Sequence, residues 1–172
     1  MKILFLGDKQ VGKTSFIIKL IHDRFYNDYA GTIGCDFFFT TIEMNNKIIN
    51  IEIYDASGDN IFDNIVESMY TKADCYVIMF DIQNIDSFCS INIWHDKILL
   101  HKKNCPILLI GNKFDIEFND RYIKYNAMIE FAKEKKMFYK EVSVKDNIDV
   151  YNSIYEFIEN IMPNNKKKCK IM

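Results

Sequence analysis

The octapeptide Gly7-Asp8-Lys9-Gln10-Val11-Gly12-Lys13-Thr14 has a chemical meaning in its spacing alone. It matches G-x-x-x-x-G-K-[ST], a loop whose backbone N–H groups wrap a polyphosphate. Gly7 and Gly12 lack the Cβ that would obstruct a tight, close-approaching backbone. Lys13 can reach the β- and γ-phosphates as a point charge, and the Thr14 hydroxyl can ligate Mg2+. The nucleotide-binding stretch expected from this pattern is Asp8, Lys9, Gln10, Val11, Gly12, Lys13, Thr14 and Ser15. Lys2-Ile3-Leu4-Phe5-Leu6 before it has the character of a buried strand, and Ser15 to Ile21 that of an amphipathic helix. The loop is thus expected at a helix N-terminus, where unpaired N–H groups and the helix dipole favour an anion. A plain glycine-bearing turn would have no reason to end in Lys-Thr.

Three further strand ends carry motifs. In Tyr54-Asp55-Ala56-Ser57-Gly58, Asp55 can hold Mg2+ through a water, and the Gly58 N–H can face a γ-phosphate without side-chain obstruction. In Gly111-Asn112-Lys113-Phe114-Asp115, the Asp115 carboxylate only accepts, which suits the adjacent N1–H and amine donors of guanine. Adenine offers no matching pair and would leave a buried Asp115 unpaired. The Lys113 stem can lie along a base, and Asn112 can tie the loops together. Ser143, Val144 and Lys145, within Glu141-Val142-Ser143-Val144-Lys145, supply backbone N–H groups suited to the guanine carbonyl oxygen.

The elements that must position these motifs alternate along the chain. Residues 37–43 and 48–54 form two extended runs around a Met-Asn-Asn-Lys turn, a hairpin signal. Residues 75–80 and 106–110 are continuous apolar runs of the kind found in central parallel strands. Helical periodicity appears around residues 61–70, 88–100, 122–135 and 150–162. The alternation predicts a doubly wound α/β sandwich with one antiparallel strand, its site at the carboxyl ends of the strands. A chain of 172 residues is one domain's worth, here residues 1–162 followed by a short tail at 163–172. A net charge of −2 provides no electrostatic footprint for nucleic acid, so none is expected as a partner. Cys35, Cys75, Cys89, Cys105 and Cys169 lack metal-site spacing and are expected as reduced, mostly buried cytosolic thiols. No apolar run approaches the ~18 residues that span a bilayer. His22, His95 and His101 form no ligand or triad spacing and are expected to be structural or at the surface.

In this order, the motifs resemble those of a Ras-like small GTPase, and of the Rab branch in particular, over residues 2–162. The Rab-like residues are Arg24-Phe25, Tyr29, Thr32-Ile33-Gly34, Asp36-Phe37, Ser87-Phe88 and Trp94. The resemblance implies an α/β, single-domain P-loop NTPase (small G protein) fold, with a six-stranded, mostly parallel sheet covered by helices on both faces. It implies a GTP/GDP switch that uses Mg2+, is a monomer, and meets exchange factors, activating proteins and effectors through its switch regions. Thr14, Thr32 and Asp55 would serve the metal, with residues 31–36 as first switch and 55–70 as second. Phe25 would pack on the guanine and Tyr29 would lie over the phosphates. Lys13, Thr32, Gly58 and Asp59 would form the catalytic set. Phe37, Tyr54 and Tyr70 fall where Rab proteins carry an exposed aromatic triad, with core packing as the alternative for these rings and for Tyr70 above all.

The catalytic segment departs from the pattern. Rab proteins carry W-D-T-A-G-Q-E where this chain has Tyr54-Asp55-Ala56-Ser57-Gly58-Asp59-Asn60. Glutamine can accept from an attacking water and donate toward the phosphoryl group, whereas ionised Asp59 only accepts and adds negative charge there. Slow intrinsic hydrolysis is the expectation, with catalysis completed by partners, the Asp59 carboxylate as a general base, or a non-hydrolysing scaffold, as alternatives. Lys9 and Gln10 stand where related sequences tolerate variation and are given no special role. A nucleotide kinase is disfavoured by Asn112 to Asp115 and by the Thr32 region. The tail ends Lys166-Lys167-Lys168-Cys169-Lys170-Ile171-Met172, a C-a-a-X pattern whose terminal Met favours farnesyl on Cys169. Its lysines would supply the second membrane signal that one lipid chain needs. The expected place is the cytosolic face of an endomembrane in vesicle traffic, or of the plasma membrane if the chain is a Ras-like signalling protein.

Overall fold

A computed structural model describes residues 1–26, 31–115 and 124–162. Tyr29, Lys166, Lys167, Lys168 and Cys169 therefore lie outside the described residues. Strands β1 (Lys2–Leu6), β2 (Cys35–Met44), β3 (Lys47–Ala56), β4 (Cys75–Asp81), β5 (Ile107–Asn112) and β6 (Phe138–Glu141) form one sheet in the order β2-β3-β1-β4-β5-β6. Only β2 and β3 pair antiparallel; the remaining neighbours are parallel. Asn45 and Asn46 join β2 to β3, both at positive φ (52° and 59°), as a two-residue hairpin of the right twist requires.

Alternation along the central strands sends side chains to two cores. On one face Ile3, Phe5, Val77 and Met79 meet Phe16 and Ile17 of α1 (Lys13–His22) and Ile154, Phe157 and Ile158 of α6 (Val150–Ile161). On the other, Leu4, Leu6, Ile78 and Phe80 meet Val66 and Tyr70 of α2 (Asp63–Lys72). Trp94 and Ile98 of α4 (Ile91–His101) and Met128 of α5 (Tyr125–Glu134) complete that layer. Each fully buried aliphatic or aromatic side chain contributes about 1.5–3 kcal/mol. The helical run expected over residues 88–100 is two helices, α3 (Ile85–Cys89) and α4, which meet at Ser90. Asn84 caps α3 by accepting from the Asp86 and Ser87 N–H groups, which brings the start of that run forward.

Two expectations about side chains fail. Tyr54 and Tyr70 are both only 4% exposed, so of the expected aromatic triad Phe37 alone stands at the surface, edge-on to Tyr54. Tyr70 stacks on Tyr76 and His101 beneath the sheet, and Tyr54 lies in the same core layer. Of the four described cysteines only Cys75 is buried; Cys35 and Cys105 are half-buried and Cys89 is exposed. Among the described residues no helix is long and apolar enough to cross a membrane.

Candidate functional site

β1 lies between β3 and β4, where the strand order turns back on itself, and the loop after it opens at the carboxyl edge of the sheet. The loops after β3, β5 and β6 converge there and line one cavity of about 700 Å³. Its wall includes Lys9, Gln10, Gly12, Lys13, Thr14 and Ser15 at one end and Asn112, Lys113, Asp115, Val144 and Lys145 at the other. Phe25, Thr32, Gly58 and Asp59 also face it. Asp8 and Ser143 stand behind this wall as supports.

At the loop end, α1 starts at Lys13 with Gly12 as its N-cap, and no side chain caps it. The free N–H groups of that first turn suit an anion. Gly12 sits at φ 98°, and a Cβ there would fall 2.3 Å from Asn112 Nδ2. Lys13 Nζ donates to the Gly7 and Asp8 carbonyls at 2.8 and 2.9 Å, so the ammonium is held inside the loop's curl. Burial pulls its pKa down to about 8, opposed by the charges of Asp55 and Asp8. The loop is further fixed from α4, where Trp94 Nε1 donates to Asp8 Oδ1 at 2.7 Å.

Thr14, Thr32 and Asp55 meet beside Lys13. The Thr14 hydroxyl donates to Asp55 Oδ2 and lies 2.9 Å from the Thr32 hydroxyl, which itself donates to Asp55 Oδ2 at 3.3 Å. Asp55 Oδ1 is buried and has no hydrogen-bond partner among the described residues. Burial pushes the Asp55 carboxyl up to about 6, against the lowering effects of Thr14, Lys13 and Thr32. Hard oxygen donors around an orphaned carboxylate oxygen fit Mg2+. No cluster of three or more His, Cys, Asp or Glu side chains able to hold a metal occurs among the described residues. A cation here would thus depend on these hydroxyls, on Asp55 and on phosphate oxygens.

The far end is wired through Asn112. Its amide donates to the Val11 carbonyl at 2.8 Å and its carbonyl accepts from the Val144 N–H at 3.3 Å, joining three loops. Asp115 accepts from the Ser143 hydroxyl at 2.8 Å, with Lys145 Nζ 3.7 Å away. Lys113, at φ 69°, reaches back to Asp81 at 2.6 Å. Asp81, at the end of β4, has no place in the sequence reading. Its position one strand from Asn112 is the signal that could have found it.

The second switch differs from the expectation. Asp59 is not an uncompensated charge: its Oδ2 pairs with Lys9 Nζ at 2.6 Å. Its Oδ1 accepts from the Ile61 N–H at 3.3 Å, and its own N–H donates to Ser57 Oγ at 3.2 Å. The Lys9 contact, and then the Ile61 N–H, hold its carboxyl below the usual carboxylate range. Gly58 presses on the loop so closely that a Cβ would lie 2.4 Å from Asp8 C and Lys9 N. Lys9, expected only as one residue of the nucleotide-binding loop, is thus the partner of Asp59.

The sequence matches a known family along nearly the whole chain. The sequence model of the Ras family covers residues 2–163. The chain belongs to the Ras family. Among its relatives, the Ypt/Rab-type GTPase ypt7 of Schizosaccharomyces pombe is 30% identical over 156 residues, 87% of this chain and 76% of that protein. The Ras-related protein RABG3b of Arabidopsis thaliana is 31% identical over 160 residues, covering 89% and 79%. The Ras-related protein Rab7 of Pisum sativum is 32% identical over 157 residues, covering 87% and 76%. Family membership accounts for the six-stranded sheet and the placing of the loops.

Proposed function

We propose that the chain is a Rab-type guanine-nucleotide switch: it binds Mg2+-GTP and GDP in the cavity at the carboxyl edge of the sheet and hydrolyses GTP to GDP and phosphate. One observation carries the reading, the presence in a single cavity of Lys13, Thr14, Thr32 and Asp55 at one end and Asp115 at the other. The first set suits phosphates and Mg2+. The second offers guanine's paired donors an acceptor that adenine cannot use. Phe25, at the rim, would cover the base, and Gly58 would offer its N–H to the γ-phosphate.

Exchange factors, activating proteins and effectors would act through residues 31–36 and 55–70, on a monomer. A farnesyl group on Cys169, with Lys166, Lys167 and Lys168, would hold it to a cytosolic membrane surface in vesicle traffic. Mass analysis of the protein isolated from its own cells tests that attachment. The nucleotide found on the purified protein, with GTP and ATP affinities and a hydrolysis time course, tests the switch itself. Guanine nucleotide with slow turnover supports it; equal affinity for ATP refutes it. A second reading, a scaffold that binds GTP without cutting it, draws on the engagement of both Asp59 oxygens by Lys9 and Ile61. Hydrolysis with and without an activating protein separates the two.

A further inference from the structure

Two lysines line the phosphate end of the cavity, and they are held in different ways. Lys13 is buried against the Gly7 and Asp8 carbonyls, inside the loop. The Lys9 side chain is 64% exposed, and its ammonium stands over the second switch against Asp59. An exposed lysine on a loop would ordinarily sample many rotamers at a large entropic cost to any fixed contact. Here its partner is itself fixed at two other points. Asp59 binds Ser57 Oγ through its N–H and the Ile61 N–H through Oδ1, and presents Oδ2 to Lys9. Gly58, packed on the Asp8–Lys9 peptide, keeps the two segments in register. An ammonium has three donors, and one satisfies Asp59. Two remain for the cavity that both residues line.

We propose that the Lys9 side chain is a ligand of the terminal phosphate of the bound nucleoside triphosphate, and that Asp59 is the residue that positions it. The assignment rests on the guanine-nucleotide reading above and adds to it a side chain that tells triphosphate from diphosphate. Lys13, inside the loop's curl, is placed to reach the β-phosphate that both nucleotides share as well as the γ-phosphate. Lys9 stands against Asp59, next to Gly58, whose N–H is assigned above to the γ-phosphate that only the triphosphate has. The second switch would then sense that phosphate through a lysine held by an aspartate, in place of a side-chain amide.

The test is displacement of a fluorescent guanine nucleotide from the full chain in Mg2+ buffer, by GDP and by a non-hydrolysable GTP analogue. Loss of one charge-assisted contact in Lys9→Gln should weaken the analogue about 10- to 100-fold and GDP less than about threefold. Lys9→Arg should keep the wild-type ratio. Asp59→Asn, which keeps an acceptor but removes the charge that fixes Lys9, should shift the ratio the same way by a smaller factor. A Lys9→Gln protein whose two affinities are unchanged, or fall together, overturns the assignment and leaves Lys9 as a surface charge or a structural one. A wild-type chain that binds neither nucleotide overturns the underlying reading as well. A chain that binds both, with an unchanged ratio in Lys9→Gln, overturns the Lys9 assignment alone.

Discussion

The two ends of the cavity are held by contacts of opposite character. At the base end, Asn112 is buried and joins the loops after β1, β5 and β6 by hydrogen bonds to backbone groups, while Asp115 is set by Ser143. At the phosphate end, the second switch is fastened to the loop by an ion pair whose lysine is largely in solvent. Buried polar contacts cost more to break than solvated pairs, because the abandoned partner has no water to turn to. The base end is therefore a fixed frame. The phosphate end can be rearranged by a ligand that competes for one ammonium.

The largest effect should come from the fixed end. Asp115→Ala removes the acceptor proposed for two donors of guanine, and two charge-assisted contacts correspond to a loss of about 10²- to 10⁴-fold in GTP affinity. Affinity for ATP, weak in the parent, should stay as it was, so the preference itself collapses. Calorimetric titration with both nucleotides checks this, and a preference that survives would mean another residue reads the base.

Next comes the frame that carries Asp115. Asn112→Ala leaves the Val11 carbonyl and the Val144 N–H without their partner and should cost about 1–3 kcal/mol. At about 2–4 °C per kcal/mol for a chain of this size, the thermal midpoint should fall by several degrees. Affinities for GDP and GTP should fall together, since both share the base. Unequal losses would show that Asn112 acts on the phosphates as well.

These two residues were legible from sequence because strand-end motifs fix their place by local spacing. The loop 7–14, Asp55, Gly58 and 112–115 each sit at or just past the end of a strand, and the sheet gathers those ends at one edge. The contacts that proved most informative span the chain instead: Trp94 to Asp8 across 86 positions, and Lys9 to Asp59 from one loop to another. Nothing in hydropathy pairs two surface charges, so Asp59 read as an isolated oddity and Lys9 as an ordinary residue of the loop. Burial was ambiguous for a related reason. Tyr54 and Tyr70 have rings that suit either a binding surface or a core, and only the stacking on Tyr76 and His101 decides for Tyr70.

A smaller effect is expected at the movable end. Asp59 has both oxygens engaged, one by Lys9 and one by the Ile61 N–H, and is poorly placed to hold an attacking water. Asp59→Gln restores an amide able to accept from water and donate to the phosphoryl group, and should raise single-turnover hydrolysis about tenfold. The same change loosens Lys9, so affinity for a GTP analogue should drop while the rate climbs. A rate that stays flat shows that Asp59 does not limit hydrolysis.

The smallest effect sharpens the contrast most. With GDP bound, Lys9→Ala should move the thermal midpoint by less than about 1 °C, because solvated ion pairs add little to stability. With a GTP analogue bound at a fixed, saturating concentration, the same substitution should lower it by a few degrees, since tighter binding in the parent stabilises the folded state by mass action. Asn112→Ala should lower the midpoint under both conditions. A Lys9→Ala protein equally destabilised with either nucleotide would show that the pair belongs to the frame, and the two ends would no longer differ in kind.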